Sequence, residues 1–190
     1  MFRSDDDDNG KELRFGSVVL RTPKLDDYDD WARLRAASKV FLQPWEPKWA
    51  KDELTQSAFK RRVRRYDEDR LQTLGYSFFI FREHDDALIG ACNLSNVRRG
   101  VSQVATLGYW IGTAFARQGH AKDAVAAVLR FSFDDLHLHR VEAACIPGNE
   151  PSHKLLERSG FGKIGLAKEY LKINDIWQDH NLFAKINNAV

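Results

Sequence analysis

The chain is poor in cysteine and carries no large excess of either charge, and both scarcities narrow what it can be. Its two cysteines, Cys92 and Cys145, lie in apolar stretches, with no Cys-x-x-Cys or Cys/His ligand spacing. That argues against a disulfide framework or zinc ribbon and reads both as small buried hydrophobes of a reducing compartment. Six histidines show no metalloprotease or facial-triad spacing, so no metal is expected. With 29 basic against 27 acidic residues the net charge is +2, too little for a global field toward nucleic acid or a membrane. No apolar run approaches the roughly 18 residues of a spanning helix. The start is acidic, with aspartate at residues 5–8, where a signal peptide would be basic. The expectation is a cytoplasmic protein with residues 1–12 as a frayed acidic tail. Without an internal repeat or a Pro/Gly/Ser-rich linker, residues 1–190 read as one domain.

What is present is a mixed α and β grammar. Leu13 to Arg21 alternates as a strand, and Lys24-Leu25-Asp26-Asp27 opens a helix with Tyr28, Trp31, Leu34 and Ala37 on one face. Pro44 and Pro47 interrupt the loop Phe41 to Pro47. A second helix covers roughly Asp52 to Thr73. Its cluster of Lys60, Arg61, Arg62, Arg64, Arg65 and Arg70 is interleaved with acids and reads as a solvated face, with contact to ribosomal RNA as the alternative. Strands follow at Tyr76 to Phe81, Ala87 to Val97 and Val101 to Ile111, then a helix from Gly119, a strand at His139 to Ile146 and a short helix from Glu150 closed at Gly160. Two last strands lie near Lys163 to Ile173 and Ile176 to Ile186. The order βααβββαβαββ predicts an α/β (α+β) sandwich: a mostly antiparallel mixed sheet of about seven strands flanked by four helices.

One junction carries most of the chemistry. The apolar strand Leu107 to Ile111 runs through Arg117-Gln118-Gly119-His120-Ala121 into a helix with Ala124, Val125, Val128, Leu129 and Ser132 on its inner face and Lys122, Asp123 and Arg130 outside. The free amides and positive dipole end of such a helix favour an anion, and Gly119 and Ala121 let phosphate oxygens approach the backbone. A tight turn with no ligand is the plain alternative. Asn149 and Ser152, at the start of the next helix, are residue types that commonly cap helices.

The Gly119-His120-Ala121 run, together with Asn149-Glu150-Pro151-Ser152, Leu155-Leu156 and Ser159-Gly160-Phe161, resembles the GNAT N-acetyltransferases. Ala116 departs from the Gln or Arg that opens that family's pyrophosphate motif. Phe41 to Pro47, Asn93 to Gly100, Leu107 to Tyr109 and Trp177 to His180 are similar to the RimJ/RimL type, which acetylates N-termini of ribosomal proteins. The resemblance spans about Leu13 to Ile186 and implies the GNAT fold with acetyl-CoA as co-substrate. It implies that the backbone of Tyr109, Trp110 and Ile111 pairs with the pantetheine arm and that Gln118, Gly119, His120 and Ala121 hold the pyrophosphate, with Arg117 beside it. It further implies that Asn149 bonds pantetheine and that Ser152 protonates the departing thiolate.

For the proton acceptor, Glu46 in the aromatic loop and Glu169 on the penultimate strand are the candidates, with Leu171 at the position where RimL relatives keep a glutamate. Strand alternation would put Glu169 and Leu171 on one face and Tyr170 on the other. Trp45 is expected to wall the acceptor site. The expected acceptor is a protein N-terminus, alanine first, of a small-subunit ribosomal protein. A small amine such as a polyamine or aminoglycoside, or a non-catalytic acetyl-CoA-binding or ribosome-assembly module, are the alternatives. The oligomer is expected to be a monomer or homodimer.

Overall fold

In a computed structural model of the chain the described residues are 12–188, so all of the expected tail but Glu12 lies outside them. The stretch Leu13 to Arg21 is two strands, β1 (Leu13–Phe15) and β2 (Val18–Arg21), because Gly16 at φ +56° reverses the chain between them. The sheet therefore has eight strands where about seven were expected. It continues through β3 (Tyr76–Arg82), β4 (Ala87–Arg98), β5 (Val104–Ile111), β6 (Arg140–Cys145), β7 (Gly162–Ile173) and β8 (Ile176–Ile186). Spatial order is β1-β2-β3-β4-β5-β6-β8-β7, and among the described residues only β5 and β6 run parallel.

Four helices flank the sheet: α1 (Tyr28–Leu42), α2 (Gln56–Leu71), α3 (His120–Arg130) and α4 (Glu150–Arg158). Thr55 caps α2, accepting the Ala58 amide at 3.3 Å. After Arg130, α3 widens into a π-helical turn (Phe131–Asp135), within which Ser132 Oγ donates back to the Val128 carbonyl at 2.7 Å. Alternation along β3 feeds both faces. Phe78 and Ile80 join the larger apolar layer under α3, which includes Leu20, Ile89, Val125, Val128 and Phe183. Phe79 and Phe81 join a smaller layer under α1 and α2 with Trp31, Phe59, Val63 and Leu88. Burying each such aromatic is worth about 1.5–3 kcal/mol. Among the described residues no helix is long and apolar enough to cross a membrane.

The pairing of β5 places the site. Against β4 its register runs from Gly90↔Ile111 to Arg98↔Val104. Against β6 it pairs only at Val104, Ala105 and Thr106. From Leu107 to Ile111 the two parallel strands therefore part, leaving one β5 edge without a strand partner.

Candidate active site

The loop before α3 is built to expose amides. Arg117 at φ +62° and Gly119 at φ +92° turn the chain sharply, and a Cβ on Gly119 would meet nothing within 4 Å. The amides of Lys122 and Asp123 bond the Gly119 carbonyl, whereas those of Gly119, His120 and Ala121 find no acceptor among the described residues. Three free donors at a helix start, with open space before them, fit a pyrophosphate.

The side chains here do other work. Ser17 Oγ lies 2.8 Å from His120 Nδ1 and donates to Asp123 Oδ2 at 2.9 Å, and the Ser17 amide donates to the same oxygen at 2.9 Å. These bonds fasten the helix start to the β1–β2 turn, so Asp123 does not simply face outward as expected, and His120 Nδ1 is engaged by Ser17. Arg117, Gln118 and Lys122 are exposed, and Gln118 Nε2 bonds the Ala114 carbonyl at 2.9 Å.

Across the parted strands, Asn149 caps α4: its Oδ1 accepts the Ser152 amide at 3.3 Å. The Ser152 hydroxyl is not a cap and lies 2.8 Å from the Tyr109 hydroxyl. Tyr109 thus spans from β5 to α4. Burial pushes its phenol above the usual range. Either hydroxyl of the pair can be the donor, and when Tyr109 donates, the serine proton is left for a third partner. Burial also pushes the Cys145 thiol up, opposed by a bond with Ser152. This use of the Tyr109 side chain was not read in the sequence, where only its backbone was assigned.

The two candidate bases are placed very differently. Glu46 takes both Arg35 guanidinium nitrogens, at 2.7 and 2.8 Å, and the Trp49 indole N–H at 2.8 Å. Arg35 is 5% exposed and lies between the rings of Trp49 and Trp110, 4.2 and 4.9 Å from their centroids. The sequence carried a signal for it: Arg35 falls on the stripe of Tyr28, Trp31 and Leu42 that α1 turns inward, a charge where an apolar residue would stand. Glu46 and Trp49 line a cleft of about 970 Å³, with Trp110 opposite, whereas Trp45 is not among its walls.

Glu169 does not line that cleft. The β7–β8 register slips between Ala167 and Leu171, Glu169 sits at φ +46°, and its amide donates to Asp179 Oδ1 at 2.9 Å. This bulge breaks the alternation assumed for Glu169, Tyr170 and Leu171. Glu169 is exposed, and the Tyr170 ring lies edge-on to His180 at 5.8 Å.

Parted parallel strands and a helix start with free amides beyond them suit an anionic ligand that carries an extended, amide-bearing arm, with a hydroxyl pair across the gap. The chain belongs to the acetyltransferase (GNAT) domain family, which matches residues 17–162, and acetyl-CoA is its acetyl donor. It is similar to the ribosomal protein uS5-alanine N-acetyltransferase of Escherichia coli (strain K12), 36% identical over 178 residues that cover 93% of this chain and 92% of that protein. It is 33% identical over 175 residues to the probable N-acetyltransferase YjcK of Bacillus subtilis (strain 168), covering 92% and 97%. The structure of Mycobacterium smegmatis RimJ in complex with CoA-disulfide matches with a TM-score of 0.87 at 30% identity, covering 95% of this chain and 88% of that one.

Proposed function

We propose that this acetyltransferase modifies the N-terminal amine of a protein, alanine first, with a small-subunit ribosomal protein as acceptor. The observation that carries the reading is the near full-length similarity to the uS5-alanine enzyme. Acetyl-CoA supplies an activated acyl group as a thioester; the protein's part is to hold it, admit a neutral amine and manage protons. In this reading the amides of Gly119, His120 and Ala121, with Gln118 and Arg117 beside them, hold the pyrophosphate. The open edge at Tyr109, Trp110 and Ile111 pairs with pantetheine as an added strand, and Asn149 contributes its free amide group. An amide of that edge facing the thioester oxygen would supply a donor of the kind worth about 3–4 kcal/mol. Ser152, supported by Tyr109, gives its proton to the departing thiolate.

A protein α-amine titrates near 7.7–8.0, so it is partly neutral already and needs a modest base. Glu46 lines the cleft, and of the roughly four acceptor positions of a carboxylate three are taken by Arg35 and Trp49. Its place on the cleft wall, which Glu169 does not share, favours Glu46 as proton acceptor. Kinetics of Glu46→Gln and Glu169→Gln on an alanine-initiated peptide test the base assignment: the true base moves the acidic limb of the kcat/KM profile as well as lowering the rate. Full activity in both variants sinks the base assignment. Acetylation of polyamines with every peptide N-terminus ignored sinks the acceptor assignment and leaves the family intact.

A further inference from the structure

The sheet face that carries α1 and α2 changes character along its strands. At one end Phe79, Phe81 and Leu88 are covered by Trp31, Phe59 and Val63. Farther along, the same face presents Ser77, Asn93 and Ser95 to the cleft between α2 and β4. Ser77 and Asn93 side chains make no hydrogen bond to another described residue, and Ser95 Oγ reaches only the Thr106 carbonyl, at 3.4 Å. Gly108 lies directly across from Asn93, where a Cβ would stand 3.0 Å from its Oδ1. A strip of unpaired polar groups lining a cleft suits hydrogen bonds to an incoming backbone, since a ligand that covers such groups must pair them.

Beside Glu46 and Trp49 the β7–β8 turn is tied down: the Asn174 amide donates to the Glu46 carbonyl at 3.1 Å, and Lys48 meets Asp175 at 2.5 Å. From there the cleft runs along β4 to Arg98. Ala91, opposite Trp110, to Arg98 is less than about 23 Å at about 3.3 Å per residue, because the strand bulges between Ser95 and Arg98 with Asn96 at φ +52°, and the two arginine side chains reach back along it, the span of a short extended peptide. The charged groups near Trp110 are paired, Arg35 with Glu46 and Arg62 with Glu53. Toward the other end Arg65 and Arg98 have no ion pair among the described residues, and Asp69 is the one acid of the cleft wall besides Glu46 and Glu53.

We propose that this cleft is the channel for acceptor residues two to about six, laid extended over Ser77, Asn93 and Ser95 with a carboxylate-bearing residue toward Arg65 and Arg98. The inference rests on the N-terminal acceptor reading and sharpens it: the substrate is a mobile N-terminal segment with an acidic residue about five places in, not a small amine. Backbone contacts to the polar strip give length dependence, and the two arginines give charge preference.

The test is steady-state kinetics with alanine-initiated peptides of two, four, six and eight residues, the hexapeptide made with Glu or with Lys at position five. The expected result is a KM that falls about tenfold between two and six residues, equivalent to about 1.4 kcal/mol, and then levels, with Glu preferred. The doubly substituted Arg65→Glu, Arg98→Glu protein should invert the Glu-to-Lys preference, whereas a merely damaged enzyme lowers both hexapeptides alike. A KM independent of length, or a preference unmoved by the double substitution, overturns the channel while dipeptide turnover keeps the N-terminal reading alive. Turnover of polyamines and of no peptide overturns both.

Discussion

The two edges of β5 are built in opposite ways. Toward β4 the strand is paired along nearly its whole length, and the fit is close enough that a Cβ on Gly90 would stand 2.3 Å from the Trp110 carbonyl. Toward β6 the pairing stops at Thr106, and the gap is crossed by the Tyr109 side chain reaching Ser152. One edge commits its backbone groups to the fold, and the other leaves those of Leu107 to Ile111 without a strand partner. A single strand can thus be rigid and functional at once, because its amides and carbonyls point alternately to either side.

The largest effect should come from the open edge. Ser152→Ala is expected to lower kcat by about 10²–10⁴-fold with little change in the cofactor KM, the range for a lost proton donor. A fall in Tm with kcat preserved would make Ser152 a structural residue only. Next, Gly119→Glu should abolish measurable acetyl-CoA binding by calorimetry, since a carboxylate would stand where the free helix amides face a phosphate. Gly119→Ala imposes the same φ +92° strain without the charge, so equal loss in both variants would trace the effect to backbone strain instead.

On the paired edge, Gly90→Val should destabilise by about 1–3 kcal/mol through overpacking against Trp110 and Ile111. For a chain of this size that lowers Tm by about 2–4 °C per kcal/mol. An unchanged Tm would show that the β4–β5 fit is looser than its contacts imply.

The smallest effect is in alkali. Burial raises the Cys92 and Cys145 thiols and the Tyr109 phenol above their unfolded values. The folded protein then holds these protons longer than the unfolded chain. Their contribution is complete below about pH 8.5 for the thiols and about pH 10 for the phenol, and is lost as pH rises through the folded values. Urea unfolding should show stability declining above those points, and Tyr109→Phe should remove the part that starts near pH 10. An unaltered slope in that variant would mean that the gap beside β5 is wet.

Much of the site was legible because it is local. The Gly119 turn, the α3 stripe and the Asn149 cap each depend on neighbours within a few residues, and periodicity and residue type report on those. The bond of Ser152 to Tyr109 and the pinning of Glu46 by Arg35 were not legible, although Arg35 on the inward stripe of α1 marked an oddity. Glu169 shows the limit from the other side: alternation reads a strand correctly until a bulge resets it, and the bulge at Ala167 to Leu171 has no glycine or proline to announce it.

By itself the amino-acid sequence determined the alternation of strands and helices, the family, and the helix start that suits a pyrophosphate. Each follows from spacing along the chain and from the conformations that single residues allow. Only the tertiary structure decided where β5 and β6 part, which carboxylate lines the cleft, and which strand residues that cleft runs along. Those depend on register and on contacts between residues far apart in the chain, such as Tyr109 with Ser152 and Lys48 with Asp175, which no local pattern encodes.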